Sequence, residues 1–511
     1  MGNPPWTMRS NGGSPWVHDL LRSGYRRPDG SLNSGYYHFN GTRERNPKWL
    51  QAEYVRFLRV CQWHVDLAAR GVVALVLSDG IADNMTFRGL RSSLMDSFQA
   101  IYLLALGGSS RKGNPDESLF GIGQGACVFL GVRGGSEKGC WHATVQGTTA
   151  VEKLDWLGST GFGAVAWQPL SPSAPSFCFG SSGPVDREYD SALSIPEIFT
   201  VGSIGVITGR DRWAIGLTRE DLAARLADLR EERGSKDHGV PRGALEALQQ
   251  DDDWQSHIRP YLFRPFDRRV VFGAPYWLER PRAEVMTEVV REGNFALVLP
   301  RRRRHFPCAW VSEVTTGHKV ASSYEGSHIF PLYLGAEFRP NFTSQVYARL
   351  QGLYGTVPSP RRIVGFIYGL LWDRLYHERH KVSLGRGWPR IIFPRDSAEF
   401  EAQADLGWQL VELHLGRKPR QAVELHGRPS IPPVGDGKPY CHDGNARLFL
   451  GSNGYLEPVP REVLDWRVGG YLPVAGWIRR RRGRELDRAD DLAHLVEVLE
   501  TTHELTQAWV N

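Results

Sequence analysis

The residues with the clearest chemical potential lie at the start of the chain, in the tetrapeptide Asn3-Pro4-Pro5-Trp6. Its two prolines stiffen the backbone and remove two N–H donors, so nearby carbonyl oxygens stay free to accept hydrogen bonds. Asn3 adds a side-chain acceptor and two donors, and Trp6 adds a ring face for stacking. These groups suit the exocyclic amine of a nucleobase, which reaches such a turn only after flipping out of its helix. A turn of this composition is also common as a purely structural feature, so both interpretations stay open at this point.

Length and composition are those of a globular protein. The 511 residues are 41% hydrophobic and 23% charged, enough for roughly two to four domains with sizeable cores. No apolar run approaches the roughly 20 residues that cross a bilayer, and the N-terminus has no signal-peptide pattern. The six cysteines lack metal-ligand spacing and are expected to be scattered core thiols. We therefore expect a reduced, cytoplasmic setting, no membrane partner and no metal.

The positive charge is concentrated in two arginine-rich stretches. The chain as a whole carries +6, from 62 basic and 56 acidic residues. Residues 258–310 contain 11 Arg and 5 acidic residues, and residues 461–484 contain 7 Arg and 2 acidic residues. Arginine suits contacts to phosphates and base edges. For either stretch alone, a solvated basic surface is an equally good interpretation.

Apolar periodicity predicts an α/β arrangement for the first part of the chain. A helical pattern begins at Pro47 and ends at Gly71, and a continuous apolar run of strand length then spans Val72 to Leu77. Further apolar runs span Ile101 to Leu106 and Ala126 to Val132. Runs of this kind are typical of strands buried in a parallel sheet. The order strand, helix, strand, loop, strand predicts the second half of a doubly wound sheet.

The motifs of this region together resemble a known enzyme family. NPPW, a helix, GVVALVLSDG, FRGLRSSL and LFGIGQGACVF occur in that order. They are similar to the later motifs of amino-group DNA methyltransferases, most of all the large adenine-N6 enzymes of type IIG and type ISP restriction–modification systems. The resemblance implies a catalytic role for Asn3-Pro4-Pro5-Trp6: Asn3 and the Pro4 carbonyl would bind the adenine amine, and Trp6 would stack on the base. Phe120 would pack on the other face.

The resemblance implies a cofactor, S-adenosyl-L-methionine, whose binding motifs lie upstream of the NPPW turn in that family. This chain begins two residues before the turn, and no later glycine-rich turn replaces those motifs. The cofactor-binding residues are therefore unknown. We expect Met1 to be an internal methionine of a longer reading frame, or the cofactor-binding half to be a separate chain. Activity is expected only when that half is present.

Later segments resemble the target recognition domain of the same family, at Phe263 to Asp267, Asn294 to Val298 and Phe330 to Leu334. The predicted organisation is a Rossmann-like methyltransferase part at 1–145, a connector at 146–256, an α/β recognition domain at 257–395 and a mostly helical region at 396–511. The candidate DNA-binding residues are Arg264, Arg268, Arg301, Arg302, Arg303 and Arg304.

The predicted function is site-specific adenine-N6 methylation of double-stranded DNA with a flipped adenine, in a prokaryotic cytoplasm. The amine would attack the cofactor methyl group directly, with no covalent enzyme intermediate. The alternative is a non-catalytic DNA-binding specificity module or a truncated remnant, in which Asn3 has no catalytic role. The two arginine-rich stretches disfavour a third possibility, an α/β enzyme acting on small molecules.

Overall fold

A computed structural model describes most of the chain as two compact units, Met1–Val185 and Asp186–Asn511. The residues outside the description are 1, 7–13, 40–41, 45–46, 110–115, 175, 181–186, 232–238, 304, 386, 418–422, 429, 434–439, 445, 452–453, 484–488 and 508–511. Both units combine helices with sheets, which confirms the predicted α/β class. Among the described residues, no helix is both long enough and apolar enough to cross a membrane.

The first unit is built on a five-stranded mixed sheet. Its strands, in spatial order, are Gly71–Ser78, Ala126–Arg133, Ala100–Gly107, Gly139–Thr144 and Gln168–Leu170. The strand Ala126–Arg133 is antiparallel to both of its neighbours, whereas Ala100–Gly107 and Gly139–Thr144 are parallel. Strands Gly71–Ser78 and Ala100–Gly107 therefore point the same way but are not adjacent. All three apolar runs are strands of one sheet, as predicted, but Ala126–Arg133 does not run parallel to its neighbours, as its apolar pattern had indicated.

This sheet order follows from the connections. Parallel neighbours need a crossover, whereas antiparallel neighbours do not. The chain that leaves Gly107 returns at Ala126 beside the strand it has just completed, and so inserts an antiparallel strand. Apolar runs report burial on both faces but carry no information on strand direction.

Helices cover the sheet of the first unit and bury its apolar side chains. The helix Glu53–Ala68 turns Tyr54, Val55 and Leu58 toward the core, and the helix Arg88–Ser97 turns Leu90 and Leu94 inward. The other elements of this unit are the helices Pro15–Arg22, Gly80–Asp83 and Ala150–Ser159, the 3-10 turns Pro47–Gln51, Met85–Phe87 and Phe162–Ala164, and the strand pairs Tyr25–Arg26 with Leu32–Asn33 and His38–Phe39 with Thr42–Arg43.

The first unit extends beyond residue 145, where the sequence analysis placed the start of a connector. The helix Ala150–Ser159 begins at a capping box, in which Thr149 and Glu152 satisfy each other's backbone N–H groups. The strand Gln168–Leu170 then pairs with Gly139–Thr144 at the edge of the sheet. The compact unit ends at Val185.

The second unit contains three four-stranded sheets. The first, in spatial order, contains Ser203–Ile204, Ser327–Pro331, Ala296–Pro300 and Trp310–Ser312. The second contains Ile215–Gly216, Asp267–Phe272, Ile258–Arg264 and Thr315–Thr316, and the third contains Glu424–Gly427, Gly454–Glu457, Leu448–Phe449 and Cys441–His442. Two-stranded pairs join Leu193–Ser194 to Arg390–Ile391 and Tyr333–Leu334 to Arg339–Pro340.

Helices fill the spaces around these sheets. They are Arg187–Ser191, Ile195–Ile198, Asp211–Ala214, Arg219–Glu231, Arg242–Gln250, Ala283–Val289, Ser344–Tyr354, Pro360–Trp372, Arg374–Leu384, Ser397–His414, Arg461–Asp465, Pro473–Arg479 and Ala489–Gln507, with a 3-10 turn at Trp254–His257. Residues 396–511, predicted to be mostly helical, also contain the third sheet. It packs on the last helices through Leu448, Leu456 and Leu495, among other core residues.

Two glycines set the closest helix contact of the second unit. A Cβ atom on Gly407 would lie 1.9 Å from the Gly365 carbonyl oxygen, and one on Gly365 would lie 2.5 Å from the Ala404 carbonyl oxygen. Both distances are shorter than van der Waals contact, so only glycine allows this approach. The helices Pro360–Trp372 and Ser397–His414 therefore cross backbone to backbone.

His414 is a buried polar residue in the core of the second unit. Its Nδ1 lies 2.6 Å from the Tyr368 hydroxyl and its Nε2 lies 2.9 Å from the Thr502 hydroxyl, while its ring stacks on Trp310. Burial lowers the pKa of His414 to about 3. Burial, together with the nearby charge of Arg303, lowers the pKa of His377 to about 3 as well. Both imidazoles are therefore neutral in the folded protein.

We expect these histidines to make folding sensitive to mild acid. Below the ordinary pKa of about 6.5, these histidines bind protons in the unfolded chain but stay neutral in the folded chain. Stability therefore falls as pH falls toward 3. For each histidine, the free energy of unfolding should fall by about 2 kcal/mol when the pH is lowered from about 7 to about 5. Denaturant unfolding at both pH values measures the effect. The His414→Gln variant should show a shallower pH dependence, and an unchanged dependence would contradict the assignment.

Candidate functional site

The NPPW turn lies at the outer edge of the first unit's sheet. Gly2 forms a parallel bridge with Leu75: the Gly2 N–H donates to the Ala74 carbonyl at 3.0 Å, and the Val76 N–H donates to the Gly2 carbonyl at 3.0 Å. In the described part of the chain, Gly2 is the only residue that pairs with this edge of the strand Gly71–Ser78. The two hydrogen bonds hold Gly2, the residue before the turn, beside the middle of the strand.

The structure brings together Asn3, Trp6 and Phe120, which the sequence analysis had grouped. The Trp6 Nε1–H donates to Asn3 Oδ1 at 3.0 Å, and the Trp6 ring lies 6.1 Å from the Phe120 ring at an interplanar angle of 39°. Asn3 and Phe120 are exposed, whereas Pro4 is buried. Pro5 is exposed and gives the turn its stiffness. We call this group of Asn3, Trp6 and Phe120 the aromatic cleft.

The hydrogen-bonding capacity of this cleft matches the predicted chemistry. Asn3 Oδ1 has two lone pairs, and Trp6 occupies one of them, so one acceptor site remains. No described residue donates to the Pro4 carbonyl. Two oxygen atoms of this turn thus keep hydrogen-bonding capacity that no described residue uses. Two acceptors are what an amine with two N–H donors requires.

The two rings are too close to hold a base in their present positions. A base stacked on both sides needs about 7 Å between the flanking planes, because each stacking contact takes about 3.5 Å. The Trp6 and Phe120 centroids are 6.1 Å apart. Phe120 is 42% exposed and precedes Gly121, whose φ is +63°. An outward movement of Phe120 would therefore be needed to admit a base.

Tyr54 is a third aromatic residue at the cleft, which the sequence analysis treated only as part of a helix. Its ring lies 6.4 Å from the Trp6 ring. Burial raises its pKa above the ordinary value, although a hydrogen bond with Ser78 acts in the opposite direction. The phenol is therefore neutral and supports the inner side of Trp6. Helical spacing was its only signal in the sequence, and that spacing indicates packing.

The predicted DNA-binding arginines of the second unit occupy different environments. The Arg264 guanidinium lies over the Phe263 ring at 4.0 Å and over the Tyr471 ring at 5.0 Å. Arg268 is exposed, and one of its amino groups donates to the Leu415 carbonyl at 3.0 Å. Both remain accessible enough to contact a ligand.

The run Arg301 to Arg304 is not a uniform basic surface. Arg301 is exposed, and Arg302 forms an ion pair with Glu325 at 2.6 Å. Arg303 is completely buried: it donates to the Leu371 carbonyl, and its Nε and Nη1 atoms have no hydrogen-bond partner. Burial lowers the pKa of Arg303. A direct DNA contact by Arg303 is therefore disfavoured, and a packing role fits its position. Arg304 lies outside the described residues.

A buried carboxylate, Asp267, joins the two arginine-rich stretches. It accepts from Arg269 at 2.9 Å, from Arg480 Nε at 2.9 Å and from Arg481 at 3.2 Å. Burial raises the pKa of Asp267, but the charges of Arg269, Arg481 and Arg480 outweigh it and hold that pKa below its usual range. The arginine stretches were visible in the sequence, whereas the role of Asp267 in joining them was not.

Among the described residues, the strand Gly71–Ser78 does not end in a glycine-rich turn that opens a long helix. No group of three His, Cys, Asp or Glu side chains among them could hold a metal ion. The strand Gly71–Ser78 leads through Asp79 into the four-residue helix Gly80–Asp83, with a single glycine at the turn. A glycine-rich turn that cradles a nucleotide-like cofactor needs several glycines between a strand and a full helix.

The second unit matches a protein-family model described as "Type ISP C-terminal specificity domain", over residues 197–508. No curated protein sequence matches the chain. Among solved structures, the whole chain is similar to the DrdV–DNA complex, with 20% identity and a TM-score of 0.68. The match covers 100% of this chain and 56% of that one.

Two further solved structures share this fold. The ATP-dependent Type ISP restriction-modification enzyme LlaBIII bound to DNA has 16% identity and a TM-score of 0.69, and the match covers 99% of this chain and 37% of that one. A nuclease-deletion mutant of the Type ISP restriction-modification enzyme LlaGI, in complex with a DNA substrate mimic, has 15% identity and a TM-score of 0.68, with 99% and 44% coverage. This chain thus spans between about a third and just over half of the length of these proteins.

Proposed function

We propose that this chain, which belongs to the family of Type ISP C-terminal specificity domains, binds duplex DNA and supplies the sequence recognition of a restriction–modification enzyme. The observation that carries the proposal is the family match over residues 197–508. The similar folds of LlaBIII and LlaGI, both described with DNA, support it. The accessible arginines Arg264, Arg268 and Arg480 supply the positive charge that duplex DNA requires.

Duplex binding by the chain itself tests this proposal. We expect saturable binding of a mixed-sequence DNA duplex, measured by fluorescence anisotropy, with an affinity that falls steeply as the KCl concentration rises. The salt dependence follows because each neutralised phosphate releases condensed counterions, with a slope of about −0.9 per contact in a log–log plot. Absence of duplex binding, or binding independent of salt, would overturn the proposal.

We further propose that the first unit is the base-binding part of an adenine-N6 DNA methyltransferase. In this proposal, Asn3 Oδ1 and the Pro4 carbonyl accept the two N–H groups of a flipped adenine, and Trp6 and Phe120 stack on its faces. Holding both protons directs the nitrogen lone pair out of the acceptor plane, where a methyl donor can be presented. The proximity of Asn3, Trp6 and Phe120 supports this role.

The methyl donor, S-adenosyl-L-methionine, would be held by residues outside the described part of this chain, supplied by an upstream region or a separate chain. We therefore expect calorimetry of this chain alone to show duplex binding and no saturable S-adenosylmethionine binding. Saturable cofactor binding by the chain alone would contradict the proposal that residues outside the described part of this chain hold the methyl donor. It would also exclude the second candidate function, a non-catalytic specificity module or truncated remnant.

A further inference from the structure

We infer that Arg264, Arg269 and Arg480 form a binding site for one backbone phosphate of duplex DNA, organised by Asp267 and Phe263. The inference rests on the proposed DNA-binding function and goes beyond it by naming the contact. It combines two residues of the first arginine-rich stretch, Arg264 and Arg269, with Arg480 of the second, which lies more than two hundred residues further along the sequence.

The charges of the cluster do not balance. Three guanidinium groups, those of Arg269, Arg480 and Arg481, pair with the single carboxylate of Asp267. The guanidinium group of Arg264 shares the Phe263 ring with that of Arg269, so the cluster carries an excess of three positive charges. Burial lowers the pKa of Arg480 and Arg481, and the charge of Arg269 lowers both further. Mutual repulsion at short range raises the free energy of the cluster, and an anion bound among the guanidinium groups would relieve it.

The guanidinium groups retain unused donors that face solvent. Asp267 occupies Arg480 Nε, and neither terminal nitrogen of Arg480 has a partner in the described structure. Arg264 uses one nitrogen, on the Phe263 carbonyl, and Arg269 uses two, on Asp267. None of the remaining nitrogens of Arg264 and Arg269 is fully buried, and the Arg480 side chain is 31% exposed. Unpaired N–H groups of three side chains thus lie around one aromatic ring, and such charged donors are what a phosphate accepts.

The Phe263 ring holds these groups in place. The Arg264 and Arg269 guanidinium carbons lie 4.0 Å and 3.9 Å from the ring centroid, and that of Arg480 lies at 5.8 Å. Arg481 is buried against Trp477 at 3.7 Å and anchors the far side of Asp267. A cation over an aromatic face is attracted by the negative charge of the ring face. Ordering the arginines before binding lowers the entropy lost on binding.

This arrangement fits a phosphate better than a base edge. Reading a base requires a side chain that extends into a groove, where it makes paired contacts to guanine. Arg264 and Arg269 instead lie on the Phe263 ring, and Arg269 is also tied to Asp267. Side chains fixed on the protein surface in this way can donate hydrogen bonds to a phosphate oxygen that lies against that surface. They cannot extend into a DNA groove. Phosphate contacts of this kind fix position and carry no sequence information.

Salt-dependent binding of a mixed-sequence duplex to Arg264→Gln/Arg480→Gln tests the inference. The double variant should lose about one phosphate contact, so the log–log salt slope should become shallower by about 0.9. Affinity at fixed salt should fall about tenfold or more, by a similar factor for duplexes of different sequence. Arg264→Lys/Arg480→Lys retains both charges and should keep most of the slope.

Two controls separate a lost contact from lost structure. Arg242→Gln removes a charge from the same unit at an exposed residue paired with Glu246, and should leave the slope unchanged. Arg264 makes no contact with Asp267, so the single variant Arg264→Gln should leave the ion pairs of Asp267 intact. It therefore tests the phosphate contact even if the double variant is too unstable to fold. If the wild-type chain binds DNA and Arg264→Gln shows wild-type slope and affinity, the inference is overturned. If the wild-type chain binds no duplex, the proposed function itself fails.

Discussion

Replacing Asp267 with Asn should lower the free energy of unfolding of the second unit by about 3–5 kcal/mol. The variant keeps the shape of the side chain and removes its charge, so the buried Arg481 loses its carboxylate partner while Arg269 and Arg480 continue to repel it. A buried charge without a partner costs far more than the pair contributes. Denaturant unfolding followed by circular dichroism measures the change.

Two comparisons make the Asp267 prediction specific. Asp252→Asn removes an exposed carboxylate paired with Arg230, and should change stability by no more than about 0.5 kcal/mol. Adding Arg481→Met to Asp267→Asn removes the orphaned charge, so the double variant should be about 1–3 kcal/mol more stable than the sum of the single changes predicts. Additive effects would mean that Asp267 and Arg481 stabilise the unit independently, against the network described above.

Replacing Asn3 with Ala should reduce adenine methylation by the completed enzyme by about 100-fold or more, with little change in duplex affinity. The substitution removes the Oδ1 atom that would hold one amine proton, and it frees the Trp6 indole N–H. The arginines of the second unit that are proposed to bind DNA are unchanged. Methyl transfer from labelled S-adenosylmethionine, by the chain combined with its cofactor-binding half, gives the rate, and fluorescence anisotropy gives the affinity.

The matched variant for this experiment is Asn3→Asp. Aspartate keeps an acceptor oxygen for both the amine and Trp6, so we expect it to retain much more activity than Asn3→Ala. Methylation at the wild-type rate by Asn3→Ala would show that the turn is structural and would favour the non-catalytic specificity module. Loss of duplex binding together with methylation would show that the variant disturbs the fold.

Local sequence patterns determined much of this protein. The helix Glu53–Ala68 and the strands Gly71–Ser78, Ala100–Gly107 and Ala126–Arg133 follow from apolar periodicity, because side-chain burial repeats with the backbone period. The NPPW turn could be singled out from its residue types alone, since proline and asparagine carry their conformational and hydrogen-bonding properties wherever they occur.

Tertiary structure decided which of these pieces meet. Strand order could not be predicted, because an apolar run has the same composition in a parallel and an antiparallel sheet. The run Arg301 to Arg304 had a uniform sequence, yet Arg303 is buried and Arg302 is paired, while Arg480 joins Asp267 from a distant segment. Charge is a property of each residue, but its exposure and its partner are properties of the fold. The sequence by itself therefore determined the elements and the turn, and only the folded chain decided which arginines can meet a ligand.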